Sequence, residues 1–445
     1  MKRSLMLLAI ASIVLVGCGK SDTPSASTSS APVPTGEVKG EITVAAFKGG
    51  FGVDFYEKAA KEFEAKHPGV TVKVEGDSQI WDKLRPRFVA GNPPDLTFPG
   101  WGMDHWALKD EDQLLSLDDA LKTKAAEGDG TWGDSFEPAL LKLGQQDGKT
   151  WILPYFFSVL GWWYDPGVFA KHGWTPPTTY DELLALAPKI KAAGMAPITF
   201  QGKYPDYMLG GLLLPWVYSI GGKPAMDACQ NLEPGAWKSP AMLQAAKMID
   251  ELNKKGFLQS GAVAMTHTEA QQQFVQGKAA MIPCGTWLKA EMKDSMPAGA
   301  KMEFMMPPVV GGGKGDPTSL IIKIEPWMVP SKGKNPQGAI ELFKYMTSLS
   351  MAKRFVEEKG TLMAIKGSDQ AKMMPELTKP AASFKASKDV WAIQYMQWYP
   401  AFEKEVEGAL TSLINGELTP EAFCDRVEKK AEEIRNDSSV TKHKV

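Results

Sequence analysis

Five runs within residues 41–98 decide the fold: Glu41-Ile42-Thr43-Val44-Ala45-Ala46-Phe47, a helical pattern opened by Asp54, Val70-Thr71-Val72-Lys73-Val74, a second helical pattern around Trp81, Leu84 and Phe88, and Asp95-Leu96-Thr97-Phe98. The first run is short and apolar, as a strand buried on both faces is. Lys48-Gly49-Gly50-Phe51-Gly52 turns the chain, and the helix from Asp54 carries Phe55, Ala59 and Phe63 on one face. His67-Pro68-Gly69 stops it. Residues 70–74 alternate like a second strand, and Pro93-Pro94 leads into a third. Strand, helix, strand, helix, strand in so short a span requires crossover connections, hence parallel strands and a doubly wound sheet.

The pattern continues outward. Residues 153–164 are apolar and aromatic, and Asp165-Pro166-Gly167 turns after them. Thr179-Tyr180-Asp181-Glu182 is a capping box that opens a helix through Lys191. Gly277-Lys278 separates a helix end from the buried strand Ala279-Ala280-Met281-Ile282. Asn335-Pro336 and Thr419-Pro420 start two further helices. The chain is therefore α/β, and the body after residue 40 is too long for one core, so two lobes are expected. Ligands of such sheets bind beyond the carboxyl ends of the strands, which puts loops 48–53, 99–106 and 283–289 at the mouth of any site.

The ends of the chain have a different character. Lys2 and Arg3 precede an apolar run from Leu5 to Val16, too short for an ordinary membrane span, and the run closes on Leu15-Val16-Gly17-Cys18. Residues 1–18 read as a signal peptide ending in a lipobox, with Cys18 acylated. Residues 19–40, rich in Ser, Thr, Pro and Ala, cannot bury enough surface to order themselves and read as a flexible tether. The tail 437–445 is expected to be disordered. The run 209–220 is too short to span a membrane and holds Pro215. A formal charge of −2 gives no basis for binding nucleic acid.

Three cysteines remain after Cys18. Cys424 lies in a helical pattern with Val427, Ala431 and Ile434 and reads as a core thiol. Cys229 sits in a Pro/Gly-rich stretch and Cys284 follows a strand, and these two are expected to pair in an oxidising compartment. Closing that loop would contribute on the order of 4 kcal/mol in the chain-entropy model.

Enzyme signatures are absent. There is no Gly-Xaa-Ser-Xaa-Gly elbow and no His-Glu-Xaa-Xaa-His, and His67, His105, His172, His267 and His443 have no ligand spacing. Gly311-Gly312-Gly313-Lys314-Gly315 lacks the Ser/Thr of a P-loop, and Gly49-Gly50-Phe51-Gly52 misses the dinucleotide-binding spacing. No metal or cofactor is expected. A secreted glycoside hydrolase needs two carboxylates at fixed separation, and no motif singles out such a pair.

Ala60-Lys61-Glu62-Phe63-Glu64-Ala65-Lys66-His67-Pro68-Gly69-Val70, Ala90-Gly91-Asn92-Pro93-Pro94-Asp95-Leu96, Pro177-Thr178-Thr179-Tyr180-Asp181-Glu182-Leu183 and Phe274-Val275-Gln276-Gly277-Lys278-Ala279-Ala280-Met281 occur in this order. With the lipobox and tether, they make the chain resemble the extracellular solute-binding proteins of ABC importers, sugar-binding family 1, from Glu41 to Arg435. Ile282-Pro283-Cys284-Gly285-Thr286-Trp287-Leu288 and Cys229-Gln230-Asn231-Leu232 resemble the receptors for N-acetylglucosamine and diacetylchitobiose. The resemblance implies two α/β lobes, each a doubly wound sheet flanked by helices, joined by a hinge and closing over a sugar in the cleft between them. The expected division is 41–152 with 318–365 for lobe I and 153–317 with 366–436 for lobe II. It also implies a lipid-anchored, monomeric receptor outside the cytoplasm that delivers carbohydrate to an ABC permease. A receptor for another solute, such as a peptide or polyol, is the alternative.

A sugar offers apolar C–H faces and a polar rim, so a cleft wants flat rings and hydrogen-bonding side chains. Trp101, set between Gly100 and Gly102 after a strand, is poorly placed for a core and fits stacking; Asp104 could accept hydroxyl hydrogens. The resemblance puts Trp287 at the family's binding tryptophan and Tyr207 at its aromatic clamp. It puts Trp398, with its neighbours Tyr395 and Tyr399, in the late aromatic segment, and Phe156 and Phe157 where the chain crosses between lobes. Some relatives have a carboxylate near there, where this chain has Ser158. Gln79 and Trp81 lie in a loop near the cleft. Glu325 and Trp327 fall in a segment resembling the hinge return. Trp162, Trp163 and Tyr164 read as strand core.

Overall fold

A computed structural model describes residues 37–100 and 103–445. Cys18, Trp101 and most of the tether lie outside the described residues.

Strand β1 (Gly40–Phe47) pairs in parallel with β2 (Val70–Asp77) along its whole length and with β3 (Leu96–Phe98) through Val44–Ala46. Helices α1 (Asp54–Lys66) and α2 (Ile80–Val89) supply the crossovers. Phe55, Tyr56, Ala59, Ala60 and Phe63 are the buried face of α1. The parallel reading of residues 41–98 is thus what the chain forms. Asp95 pins this sheet: its carboxylate accepts from the Thr43 backbone N–H at 2.8 Å, the Thr43 hydroxyl at 2.7 Å and the Asn335 N–H at 2.6 Å.

The larger sheet is mixed. Its spine is the strand Leu153–Tyr164, every residue of which is buried. This spine runs antiparallel to Leu320–Trp327 on one side and to Ala279–Gly285 on the other; Ala196–Ile198 and Val390–Trp391 complete the edges in parallel. Burial on both faces explains why the spine reads as a continuous apolar run. Glycines let the helical turn Leu209–Leu213 sit directly on the sheet. A Cβ at Gly210 would lie 2.9 Å from Leu160, and one at Gly211 would lie 2.5 Å from Pro283. The two sheets are joined where Leu320–Trp327 ends, since Met328 bridges Thr97 of β3.

Two expectations are corrected here. Cys229, Cys284 and Cys424 are all free and buried. Cys229 lies in the helical segment that follows a break at Gly222 (φ 73°, ψ −175°) within Leu214–Gln230, and its thiol faces the Ala236 carbonyl. Cys284 lies in the strand Ala279–Gly285 and faces Gln271. The Gly-Gly-Lys-Pro run that suggests a loop is a single break between two helical segments. The tail 437–445 is not disordered: it has no helix or strand, yet His443 is 7% exposed and its N–H donates to the Tyr399 hydroxyl at 2.8 Å. No described helix is long and apolar enough to cross a membrane.

Candidate functional site

A cavity of about 240 Å³ opens between the two sheets. The carboxyl ends of the parallel strands face it: Phe47 ends β1, Phe98 ends β3, and the loop Gly49–Gly52 runs along its rim. From the larger sheet come Phe156 and Ser158 of the spine and Lys323 and Glu325 of the neighbouring strand. Ser158 and Lys323 are register partners, so these side chains share one face of the ladder. Tyr207, His267, Trp287, Ala290 and Glu291 close the far side.

The rings are seated by glycines. Trp287 is half-buried and folds back over Gly285, where a Cβ would lie 2.1 Å from the indole. Tyr207 meets Trp287 edge-on, with centroids 6.0 Å apart and planes at 75°. Phe47 lies against Gly49 and Gly100, where a Cβ would come within 2.6 Å and 2.9 Å of its ring. Gly100 also has φ +71°, which an L side chain adopts only with strain. Two rings therefore face the cavity because three positions lack a side chain.

The polar floor is electrostatically tight. Lys323 bonds Asp206 at 2.7 Å, and both are only partly exposed. Burial pulls the Lys323 ammonium down, but Asp206 and the carboxylates of Glu325 and Glu403 outweigh it and hold it above its ordinary value. Glu291 accepts from Gln271 Nε2 at 2.8 Å. Burial pushes the Tyr207 hydroxyl well up, so it stays a neutral donor and acceptor. Behind Lys323, on the helix Pro400–Ile414, burial and mutual repulsion with nearby carboxylates push Glu403 and Glu407 up to about 7. No described group of His, Cys, Asp and Glu is arranged to hold a metal ion.

The structure brings together Tyr207, Trp287, Phe156 and Glu325 of the expected residues. Trp81 is one layer back, its ring 5.8 Å from Phe47. The others are placed elsewhere. Trp327 is fully buried, stacked on Phe343 at 5.4 Å and edge-on to Tyr56 at 5.0 Å, so it is core. Phe157 alternates to the opposite face from Phe156 and packs on Phe384 at 4.7 Å. Trp398 lies against His443 at 5.5 Å, away from the cavity. Gln79 is exposed at the N-cap of α2. Asp104 caps the short helix His105–Asp110, accepting from the N–H groups of Trp106 and Ala107 at 3.0 Å; burial raises its pKa. Sequence reading missed Phe47, Phe51, Lys323, His267 and Glu291. Phe47 carried a signal, as the last residue of a strand followed by paired glycines.

Residues 52–353 match the model of the bacterial extracellular solute-binding protein family. The chain is similar to the diacetylchitobiose binding protein NgcE of Streptomyces coelicolor, 29% identical over 439 residues covering 96% of this chain and 92% of that protein. It is also similar to the multiple sugar-binding protein of Streptococcus mutans, 22% identical over 399 residues covering 87% of this chain and 88% of that protein. Among solved structures, a chitin oligosaccharide binding protein matches with TM-score 0.74 at 22% identity, covering 89% of this chain and 98% of that one. RafE in complex with raffinose matches with TM-score 0.68 at 20% identity, covering 87% and 98%. The structural likenesses establish the fold, two α/β lobes about a cleft. Family model, relatives and fold agree: the chain belongs to the bacterial extracellular solute-binding proteins.

Proposed function

We propose that this chain is the extracytoplasmic receptor of an ABC importer for N-acetylglucosamine or a chito-oligosaccharide, and that the cavity between the lobes is its site. The observation that carries the reading is the pairing of half-buried rings with polar groups. Trp287, Tyr207 and Phe47 face the cavity, while Ser158, Lys323, Glu325 and Glu291 supply donors and acceptors. Rings cover the C–H faces of a sugar, and the polar groups fix its hydroxyl rim. The likeness to a diacetylchitobiose receptor narrows the sugar class. Closure of the lobes over the ligand is a population shift driven by contacts made to both lobes at once, and the permease would read the closed form. Trp101 and Trp81 remain candidates for contacts on the first lobe. The chain does no chemistry on its ligand in this reading. Cys18 is the lipid anchor, and Cys18→Ala should release the protein from membranes on fractionation.

The test is a titration of residues 19–445 followed by tryptophan fluorescence. The panel is N-acetylglucosamine, diacetylchitobiose, maltose, cellobiose, glycerol phosphate and short peptides. Saturable binding of the N-acetylated sugars with no product formed supports the reading. Binding of a peptide or polyol alone, or slow cleavage of an oligosaccharide, refutes it.

A further inference from the structure

Of the tail 437–445, only His443 is buried. Its partners come from two segments far apart in sequence that also touch directly, with His105 Nδ1 2.9 Å from Gln397 Oε1 and Gln394 Nε2 donating to the Leu143 carbonyl. On the side of the three-stranded sheet, its ring bonds the Gln146 side-chain amide, and its Nε2 lies 3.5 Å from Asp110 Oδ2. Gln146 belongs to a short hairpin with Lys149–Thr150, and Asp110 ends the helix that follows β3. This region reaches the smaller sheet through Met328: Leu117 N–H donates to the Thr150 carbonyl and Leu115 N–H to the carbonyl of Val329, whose neighbour Met328 bridges Thr97 of β3. On the other side, the His443 ring lies 5.5 Å from Trp398 and 6.0 Å from Tyr399, and its N–H donates to the Tyr399 hydroxyl. Two residues on, the Val445 N–H donates to Asn231 Oδ1 at 2.9 Å. Tyr399 and Asn231 flank helices that pack with Pro240–Lys254 and Pro420–Asn436, in the helical layer of the larger sheet.

We propose that residues 437–445 form a strap across the two lobes, with His443 as its wedge, and that this strap biases the ligand-free protein toward the closed arrangement. A hinge rotation that separates the hairpin at Gln146 from Tyr399 must break the His443 contacts on one side or the other. The strap therefore adds to the free energy of opening without touching the cavity. A receptor whose binding-competent state is more populated binds its ligand more tightly in proportion. The affinity part of this inference rests on the carbohydrate-receptor reading; the conformational part does not.

The test compares residues 19–445 with the same chain lacking 437–445 and with His443→Ala. Small-angle scattering of the ligand-free proteins reads lobe opening, and titration with diacetylchitobiose reads affinity. The strap predicts a larger radius of gyration for both variants without ligand, equal radii with ligand, and a Kd raised about threefold or more. Unchanged radius and unchanged Kd overturn it, even with a lower melting temperature, because a tail that merely covers Trp398 would lower stability alone. A truncation that fails to fold leaves His443→Ala to decide on the same two readouts. Absence of sugar binding by every form refutes the carbohydrate reading, and the radius alone then decides the strap.

Discussion

Trp287 and Trp327 stand at the ends of strands in the same sheet, and both have the residue type that a sugar face asks for, yet only one faces the cavity. Trp327 is the last residue of its strand, so the sheet's own pleat points it into the smaller lobe, where Tyr56, Tyr155, Phe98 and Phe343 enclose it. Trp287 lies two residues past its strand, after Gly285, and the missing Cβ lets its indole fold back over the turn toward Tyr207. A ring reaches a site when the chain leaves the ladder before it, and it joins the core when the ladder carries it inward.

This contrast can be broken in order of expected effect. Trp327→Ala should cost about 3–5 kcal/mol of unfolding free energy, the range for removing a large fully buried aromatic. Any protein that remains folded should bind ligand nearly as well. Chemical denaturation checks the first part and titration the second. Trp287→Ala should do the opposite. A stacking anchor in a half-buried pocket is worth about 2 kcal/mol, or roughly thirtyfold in Kd, with little change in melting temperature. If the two variants lose the same property, the assignment of one ring to the site and the other to the core fails.

The same contrast shows what a sequence can convey. The five elements of residues 41–98 were legible because each carries its own period and its own stop, down to His67-Pro68-Gly69 and the glycines after β1. The capping box at Thr179 was equally local. Site residues were legible only where local sequence fixed exposure, as at Gly285-Thr286-Trp287. Phe156 and Phe157 show the limit: a strand buried on both faces has no polar side to say which residue turns toward the cavity. Lys323 and Glu325 were harder still, because their place depends on pairing with residues 154–160, far off in sequence, and on the register shift at Glu325. Trp398 and the tail depend on each other, and neither segment alone implies the other.

Gly285→Ala sharpens the comparison without removing a ring. Its Cβ would lie 2.1 Å from the Trp287 indole, inside any tolerable contact, so the ring must swing out. The backbone at Gly285 is not in the left-handed region, so alanine itself is not strained there. The expected loss is about 1–2 kcal/mol of binding, smaller than for Trp287→Ala because a displaced ring can still cover part of a sugar. Tryptophan fluorescence of the ligand-free variant should shift toward that of an exposed indole. A variant with wild-type affinity and spectrum would show that the fold-back is not what presents Trp287.

The smallest effect concerns the groups behind the polar floor. Glu403 and Glu407 titrate near 7 in the folded protein, raised first by burial and then by neighbouring carboxylates, against about 4.3 in an unfolded chain. A carboxyl with a raised folded pKa binds its proton more tightly when folded. Its contribution to stability is therefore full below about pH 4, falls as pH rises, and is lost above about pH 7. The two sit one helical turn apart and share Asp206 and Lys323 as neighbours, so they titrate as a pair. Both are partly exposed, and solvent screening reduces the effect to about 1 kcal/mol for each. Melting temperature should fall between pH 4.5 and 7 more steeply in the parent than in Glu403→Gln with Glu407→Gln, which keep the shape and lose the charge. Parallel curves would mean that these carboxyls are solvated as freely as any on the surface. In that case the enclosed floor beneath Trp287 and Tyr207 is open to water, and the difference between the site's rings and the core's rings is one of degree only.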